Sequence, residues 1–316
     1  MRAGLLLAVA ALSQAPPAAA QAEPSTTHVL VITGVGGEPA YSAAFLAQAE
    51  RVIQGLAAFG IPRARVTWLA EDPAKAAGKI AGRSTREQVL AALQRIGGAA
   101  GANDRLLVLL IGHGSDDGVP RFNVPGPDLT AGDLADALEH LGERMVAVVN
   151  ASSASGGFVE ALSGPRRVVI TATKTGLERN ETRFAESLAK ALEGAAADTD
   201  KDGALSLQEV YAFASQDVVR FYETENRLRT EHARISDSTL ARRFVLAPAG
   251  RAAAALAGDS VAAALLARRE ALEEQIEQLR ARKAGMDSTA YERRLEALLL
   301  DLARTNQALR ERTGKP

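Results

Sequence analysis

The sequence predicts an α/β domain with a mostly parallel sheet covered by helices on both faces, followed by a C-terminal helical hairpin. Unbroken apolar runs such as LLVLLI at residues 106–111 are typical of strands buried on both faces of a parallel sheet. Between these runs, apolar residues recur every three or four positions, which indicates helices that alternate with the strands. After Pro248–Gly250 the composition changes to Ala, Leu, Arg and Glu, which favours long helices.

The elements are predicted in chain order from these patterns. The first half contains the strand His28–Gly34, the helix Pro39–Phe59, the strand Val66–Leu69 and a helix behind a capping box that starts at Ser84. The second half contains the strand Leu106–Ile111, a loop at 122–130, the helix Thr130–Leu141, the strands Met145–Val149 and Val168–Thr173, and a further strand at Phe244–Ala247.

Composition excludes several classes of function. The 316-residue chain has a net charge of −1, which gives no electrostatic case for a nucleic-acid partner. It contains no cysteine, so disulfides, lipid-modified cysteines and a thiol nucleophile are all excluded. The glycines at 34–37 do not have the G-x-G-x-x-G spacing of a dinucleotide site, and no G-x-S-x-G nucleophile elbow occurs.

The first 22 residues have the pattern of a secretory signal peptide. Arg2 supplies the positive region, Leu5–Leu12 the apolar region, and Ala20-Gln21-Ala22 an A-x-A cleavage site. We therefore expect a periplasmic or secreted protein with no transmembrane segment after removal of the signal.

Two glycine-containing segments follow predicted strands and form a candidate site. His113 lies between Gly112 and Gly114 at the carboxyl end of one strand, and NASSASGGF begins at Asn150, at the end of the next. Open α/β sheets bind ligands at this edge, and a helix start there offers N–H groups to an oxyanion. The alternatives are a histidine that caps a strand and a turn of small residues that lets strand and helix pass closely.

These two segments together resemble the legumain–caspase superfamily of cysteine peptidases, and are most similar to the legumain family. In that superfamily one strand ends in a catalytic His-Gly, which His113-Gly114 matches. The next strand ends in the nucleophilic Cys, one variable residue and Ser-Gly, and Ser155-Gly156 matches this Ser-Gly. Ser153 then occupies the nucleophile position, whereas a shift of one residue places Ser152 there.

The resemblance extends over residues 27–245 and implies a caspase-like fold. VVITATKTG, at 168–176, is similar to the legumain strand that forms a wall of the specificity pocket. Because the nucleophilic cysteine is missing, we expect a pseudopeptidase that binds a peptide or protein. One alternative is an active hydrolase with Ser153 or Ser152 as nucleophile, His113 as base, and Gly114 and Gly156 in the oxyanion loop. Another is a scaffold protein that works through its coiled-coil tail.

Residues Asp198–Glu209, DTDKDGALSLQE, match the calcium loop of an EF-hand, with a glycine for the sharp turn at Gly203. The predicted Ca²⁺ ligands are Asp198, Asp200, Asp202, Ala204, Ser206 and Glu209. Apolar residues at helical spacing flank the loop on both sides. The alternative is an acidic turn that is merely solvated.

The tail at 251–316 is predicted to form two helices, Ser260–Arg282 and Ser288–Glu311, joined by a short turn. Leucines at coiled-coil spacing favour an antiparallel hairpin. Either the hairpin packs on itself, or it mediates self-association or docking on another protein. The chain thus divides into a signal at 1–22, an α/β domain at 23–250 and the hairpin.

Overall fold

A computed structural model describes residues 26–142, 144–200, 204–246 and 259–312. The predicted signal peptide, the domain boundary at Pro248–Gly250, and Ala247 of the last predicted strand lie outside the described residues. So do three residues of the predicted calcium loop, Lys201, Asp202 and Gly203. Within these ranges, no helix combines the length and the apolar character needed to cross a membrane.

The centre of the fold is a mixed, mostly parallel sheet of seven strands. The described residues contain twelve strands, of which seven form this sheet. They are β1 Thr27–Thr33, β2 Val66–Ala70, β3 Gly82–Arg83, β4 Arg105–Ile111, β5 Gly114–Asp116, β6 Pro120–Phe122, β7 Leu129–Thr130, β8 Met145–Asn150, β9 Arg167–Thr171, β10 Leu205–Ser206, β11 Arg234–Ile235 and β12 Val245–Leu246. The main sheet has the order β11-β9-β8-β4-β1-β2-β3, and β11 alone among these runs antiparallel to its neighbour. The predicted loop after β4 proves to include a small antiparallel sheet of β5, β6 and β7.

Helices cover both faces of this sheet, which confirms the predicted fold class. The helices are α1 Pro39–Ala58, α2 Arg86–Ala99, α3 Ala131–Glu139, α4 Gly157–Leu162, α5 Phe184–Leu192, α6 Leu207–Thr224, α7 Ser238–Arg243, α8 Ser260–Ala281 and α9 Ser288–Arg312. Side chains of α1, α5, α6 and α7 share one core, and those of α2, α3 and α4 share the other.

The apolar run of β4 explains why the sheet is buried on both faces. Successive side chains of a strand point to opposite faces. Leu107, Leu109 and Ile111 accordingly pack into the core of α1, and the alternate residues pack into the core of α2. A strand with two buried faces has to be apolar throughout, as LLVLLI is.

The predicted capping box at Ser84 is wrong by one residue. Helix α2 begins after Thr85, whose hydroxyl accepts a hydrogen bond from the Gln88 N–H at 3.3 Å. The Ser84 hydroxyl is fully buried and instead donates to the Thr33 carbonyl at 2.8 Å, at the end of β1. Ser84 therefore fixes the sheet edge, and its neighbour caps the helix.

The predicted strand at Phe244–Ala247 exists but is not part of the main sheet. Val245 and Leu246 pair with Ser206 and Leu205, the short strand inside the predicted calcium loop. The outer strand of the main sheet is β11, which hydropathy did not indicate because it has only two residues and neither is fully buried.

The C-terminal tail forms the predicted antiparallel helical hairpin. Asp259, at the start of α8, forms an ion pair with Arg312, at the end of α9. Leu272 and Ile276 are buried along α8, and Leu309 is buried on α9. Arg269 is also buried, with 8% of its surface exposed, although it is a long cationic side chain on the same helix.

Candidate functional site

The candidate site lies at the carboxyl edge of the main sheet, where β1 and β4 are neighbours. The chain leads from β1 to β2 on one side and from β4 to β8 on the other, so this is the point at which the strand order reverses. Glycines let the two strand ends approach closely: a Cβ on Gly112 would lie 3.2 Å from the Cα and the backbone N of Gly34. His113 therefore projects from the part of the sheet where ligands of open α/β folds bind.

The imidazole ring of His113 packs against the aromatic side chains of α1. Its centroid lies 4.9 Å from that of Tyr41 and 5.0 Å from that of Phe45, both in edge-on geometry. Among the described residues its ring nitrogens make no hydrogen bond. Of the acidic residues nearby in sequence, Asp117 pairs with Arg121. The ring is thus oriented by packing and not by a carboxylate, as a Ser–His catalytic pair would need.

Ser153 lies beside the histidine-glycine segment, as the resemblance predicts. Its hydroxyl accepts a hydrogen bond from the Gly114 N–H at 3.2 Å and contacts the Gly114 carbonyl, to which it can donate, at 3.3 Å. Only 3% of its surface is exposed. The two loops are therefore joined by the serine hydroxyl itself, which is bonded to backbone and not to the His113 ring.

The other serines of this segment are also bonded internally. We call residues 151–156 the serine loop. The Ser152 hydroxyl donates to Asn150 Oδ1 at 2.7 Å. The Ser155 hydroxyl lies 3.1 Å from Thr173 Oγ1. Thr173 Oγ1 also accepts a hydrogen bond from the Gly156 N–H at 3.1 Å. Because Ser152 and Ser155 are fully buried, these bonds replace water completely.

Glu178 forms a backbone hydrogen bond with the serine loop, and the sequence did not predict this residue as part of the site. Its carbonyl accepts from the Ala154 N–H at 2.8 Å. Ala154 has a φ of 50°, a left-handed conformation that non-glycine residues seldom adopt. The Glu178 carboxylate accepts from the His232 N–H at 2.9 Å and lies 3.0 Å from Nδ1 of the same residue. The strained backbone of Ala154, next to the predicted site residue Ser153, is the signal for Glu178, and it is visible only in the structure.

A cleft of 860 Å³ opens at the same edge, on the side of β2. Its lining includes Gly34, Glu38 and Arg83. The Glu71 carboxylate accepts from the Gly36 N–H at 3.2 Å and from the Ser42 hydroxyl at 3.0 Å. A Cβ on Gly36 would lie 2.3 Å from the Ser42 hydroxyl, so this glycine permits close packing of the loop on α1.

The described part of the predicted calcium loop brings three acidic side chains together. Carboxylate oxygens of Asp198, Asp200 and Glu209 lie within 4.8 Å of one another. Glu209 Oε2 accepts from the Ser206 N–H at 3.0 Å and from the Ser206 hydroxyl at 2.8 Å, a capping box that begins α6. The loop is thereby closed by the residue predicted to bind the ion at position twelve.

Charged groups of the helical hairpin affect the pKa of Asp200 in the acidic loop. Desolvation and the negative charge of Glu209 raise the pKa of Asp200. The positive charges of Arg269 and Arg310, one from each helix of the hairpin, act in the opposite direction on that pKa. The hairpin therefore presents cationic groups toward the acidic loop.

Comparisons with known proteins identify no family. No protein family model matches the chain, and no curated protein matches it. Among solved structures, the fold is similar to the crystal structure of Caspase-1 from Spodoptera frugiperda, with 12% sequence identity and a TM-score of 0.42. The similarity covers 68% of this chain and 87% of that chain. A similarity of this size assigns no activity to the chain.

Proposed function

We propose that this chain is a secreted or periplasmic, calcium-binding protein with a legumain/caspase-like fold that binds a peptide or protein and lacks cysteine-peptidase activity. One observation carries the proposal. The hydroxyl at the nucleophile position, Ser153, is buried and bonded to the backbone of Gly114, while the His113 ring packs against Tyr41 and Phe45. No cysteine elsewhere in the chain can replace it.

The hydrogen bonds of the serine loop argue against hydrolysis. A serine hydroxyl is a weak nucleophile unless a base is coupled to it, and here the base would be His113. The N–H groups of Gly114 and Gly156, which would stabilise an oxyanion, donate to Ser153 and Thr173. Attack by Ser153 would require these bonds to break first. Attack by Ser152 would likewise require a hydrogen bond to break, because its hydroxyl donates to Asn150.

Binding needs no such rearrangement. The cleft of 860 Å³ beside β2 is already open, and its volume falls in the range of about 300–1,000 Å³ that is usual for ligand sites. Its lining combines apolar Leu46 with the acidic Glu71 and the basic Arg83. Such a surface suits a peptide segment, which carries both polar backbone groups and side chains of either kind.

Calcium binding is the second part of the proposal. Three carboxylates at the spacing of an EF-hand loop provide hard oxygen ligands, which calcium prefers. Asp198, Asp200, Ser206 and Glu209 are the described residues that would hold the ion. A bound Ca²⁺ would neutralise their mutual repulsion and tie the end of α5 to the start of α6. Since only one such loop is present in the sequence, we assign the ion a structural role.

A peptide library tests the proposal. The purified chain is incubated with a diverse library in the presence of calcium, and both cleavage products and retained peptides are identified by mass spectrometry. We expect retained peptides and no cleavage. Cleavage that is lost in His113→Gln, but not in a His140→Gln control at an exposed helix end, would contradict the proposal and establish a serine hydrolase.

The same library separates the binding protein from a tail-based scaffold. Deletion of residues 251–316 removes the hairpin and leaves the sheet edge in place. We expect the truncated chain to retain the same peptides. If the peptides are lost with the hairpin while the α/β domain still melts cooperatively, the scaffold function replaces the one proposed.

A further inference from the structure

The segment after α6 carries a deeply buried carboxyl group. Glu231 is 1% exposed. Its Oε1 accepts from the Arg183 N–H at 2.7 Å and lies 3.3 Å from the Tyr222 hydroxyl, so this oxygen caps the start of α5. Its Oε2 has no hydrogen-bond partner among the described residues. Helix capping explains one oxygen of Glu231 and leaves the other unexplained.

A cavity of 270 Å³ lies against this carboxyl group. Ser215 of α6 also lines the cavity, and its hydroxyl oxygen is likewise buried without a partner in the described part of the chain. The remaining wall combines apolar residues, among them Ala172, Phe184 and Val218, with polar ones such as Gln216. The volume is below the usual range for whole small-molecule ligands, about 300–1,000 Å³, and is suited to a single side chain.

Hydrogen bonds of two consecutive residues, Thr182 and Arg183, link the serine loop to the carboxyl group of the cavity. The Thr182 hydroxyl donates to the Ala151 carbonyl at 2.6 Å, and the next residue, Arg183, donates its N–H to Glu231. Ala172, in the cavity wall, directly follows β9. The cavity therefore lies near the carboxyl end of β9, so a peptide that reaches it from the cleft beside β2 would extend along the sheet edge past β1, β4 and β8.

We infer that this cavity binds the cationic end of a lysine or arginine side chain of a bound peptide. The inference rests on the proposed function and names its substrate class. A buried carboxylate oxygen and a serine hydroxyl both accept hydrogen bonds, and ammonium and guanidinium groups are donors only. A cation would also offset the charge of Glu231, which is unfavourable when buried alone. Apolar walls match the methylene stems of both side chains.

Arg229 and His232 of the protein also line the cavity, and neither is bonded to the acceptor oxygens. Arg229 is exposed to solvent. His232 has Nδ1 3.0 Å from Glu178 Oε1. The competing explanation is a buried water molecule that bridges the two unpartnered oxygens, since water also donates two hydrogen bonds.

Calorimetry with blocked amino acids distinguishes a cation from water. The probes are the Nα-acetyl amides of arginine, lysine and citrulline, the last of which has the shape of arginine without its charge. We expect arginine or lysine amide to bind at least tenfold more tightly than citrulline amide. Equal affinities, or no binding of either cation, would overturn the inference in favour of a water-filled cavity.

Variants assign the binding to the cavity. Glu231→Gln retains an oxygen for the α5 cap and removes the charge, so the cation's affinity is expected to fall at least tenfold. Ser215→Ala removes a single acceptor and is expected to have a smaller effect. Glu225→Gln, at an exposed position after α6, is the matched control and should bind like the parent chain.

An unchanged affinity in Glu231→Gln, with an unchanged melting curve, would overturn the inference. The outcome is independent of the peptide library. Library binding by peptides without basic residues would leave the proposed function standing while this inference failed. Cation binding with no retained peptide would leave the cavity assigned and contradict the proposed function.

Discussion

The serine loop and the acidic loop at Asp198–Glu209 treat their polar groups in opposite ways. In the serine loop, neutral hydroxyls are bonded to backbone groups and to one another, as Ser153 is to Gly114 and Ser155 is to Thr173. In the acidic loop, carboxylates of Asp198, Asp200 and Glu209 converge within 4.8 Å. One arrangement is complete without a ligand, and the other concentrates negative charge that a cation would neutralise.

This difference teaches where function can be expected at the sheet edge. Serine hydroxyls at a sheet edge can be purely structural, because they bond neighbouring loops together, as Ser153 bonds to Gly114. The carboxylate of Glu209 also caps α6, but the convergence of three carboxylates is unfavourable unless positive charge offsets their repulsion. Glu231 shares one feature with each region: one carboxyl oxygen is bonded to backbone, as in the serine loop, and the group can carry a negative charge, as in the acidic loop.

The largest expected effect concerns Glu231, a deeply buried carboxyl group near the neutral serine loop. Burial raises the pKa of Glu231 to about 7 from its usual value near 4.5. Between these values the folded chain binds more protons than the unfolded chain, so the free energy of unfolding decreases as the pH rises. A shift of this size corresponds to about 3 kcal/mol at pH 8 relative to pH 4.

Chemical denaturation at pH 5 and pH 8 measures this effect. We expect the parent chain to lose more stability over this interval than Glu231→Gln, which cannot ionise at that position. Arg183, Tyr222, Arg229 and His232 are unchanged in both proteins, so the difference isolates the carboxyl group. Parallel stability profiles would show that Glu231 is already ionised at pH 5.

Calcium is expected to stabilise the acidic loop by a somewhat smaller amount. An ion that binds the folded chain contributes about 2.7 kcal/mol at a hundredfold excess over its Kd. For a chain of this size the melting temperature should rise by about 5–10 °C. Thermal melts with calcium and with chelator check this. Glu209→Gln should abolish the shift, whereas Glu181→Gln, exposed and outside the loop, should keep it; a shift retained in Glu209→Gln would remove the loop from the account.

The smallest expected effect tests the tight packing of the serine loop. A Cβ on Gly114 would lie 2.5 Å from the Ser153 carbonyl oxygen and 2.7 Å from the Ser152 hydroxyl. Gly114→Ala should therefore lower the free energy of unfolding by about 2 kcal/mol. Gly98→Ala on α2, where a Cβ meets nothing within 4 Å, is the control and should leave stability unchanged or slightly raised. Equal stabilities of the two variants would contradict the closed serine loop.

Much of the fold was predictable because the pattern of apolar residues along the sequence indicates which side chains are buried. The run 106–111 fills both cores, and the pattern of Phe45 and Leu56 places α1 against the sheet. The position of Ser153 beside Gly114, the residue after His113, agrees with the strand order. The cap at Thr85 was misassigned because Ser84 and Thr85 are both good capping residues, and only tertiary packing directs Ser84 to the Thr33 carbonyl.

What the sequence could not predict depends on contacts between distant segments. Three strands, β2, β3 and β4, lie between Tyr41 and His113 in the sequence, yet Tyr41 orients the histidine ring. Glu231 belongs to a charged stretch that resembles an ordinary solvated loop, and its burial depends on the start of α5. Short strands such as β11 form only because β9 is already in place, so local hydropathy does not indicate them.

The central claim is that Ser153 and Ser152 are structural residues and not nucleophiles. A fluorophosphonate probe reacts covalently with activated serines and with few others. The chain is treated with the probe in the presence of calcium and its intact mass is measured, with an active serine hydrolase as positive control. We expect no added mass. An adduct on Ser153 or Ser152 that disappears in His113→Gln would contradict it and establish a working Ser–His pair.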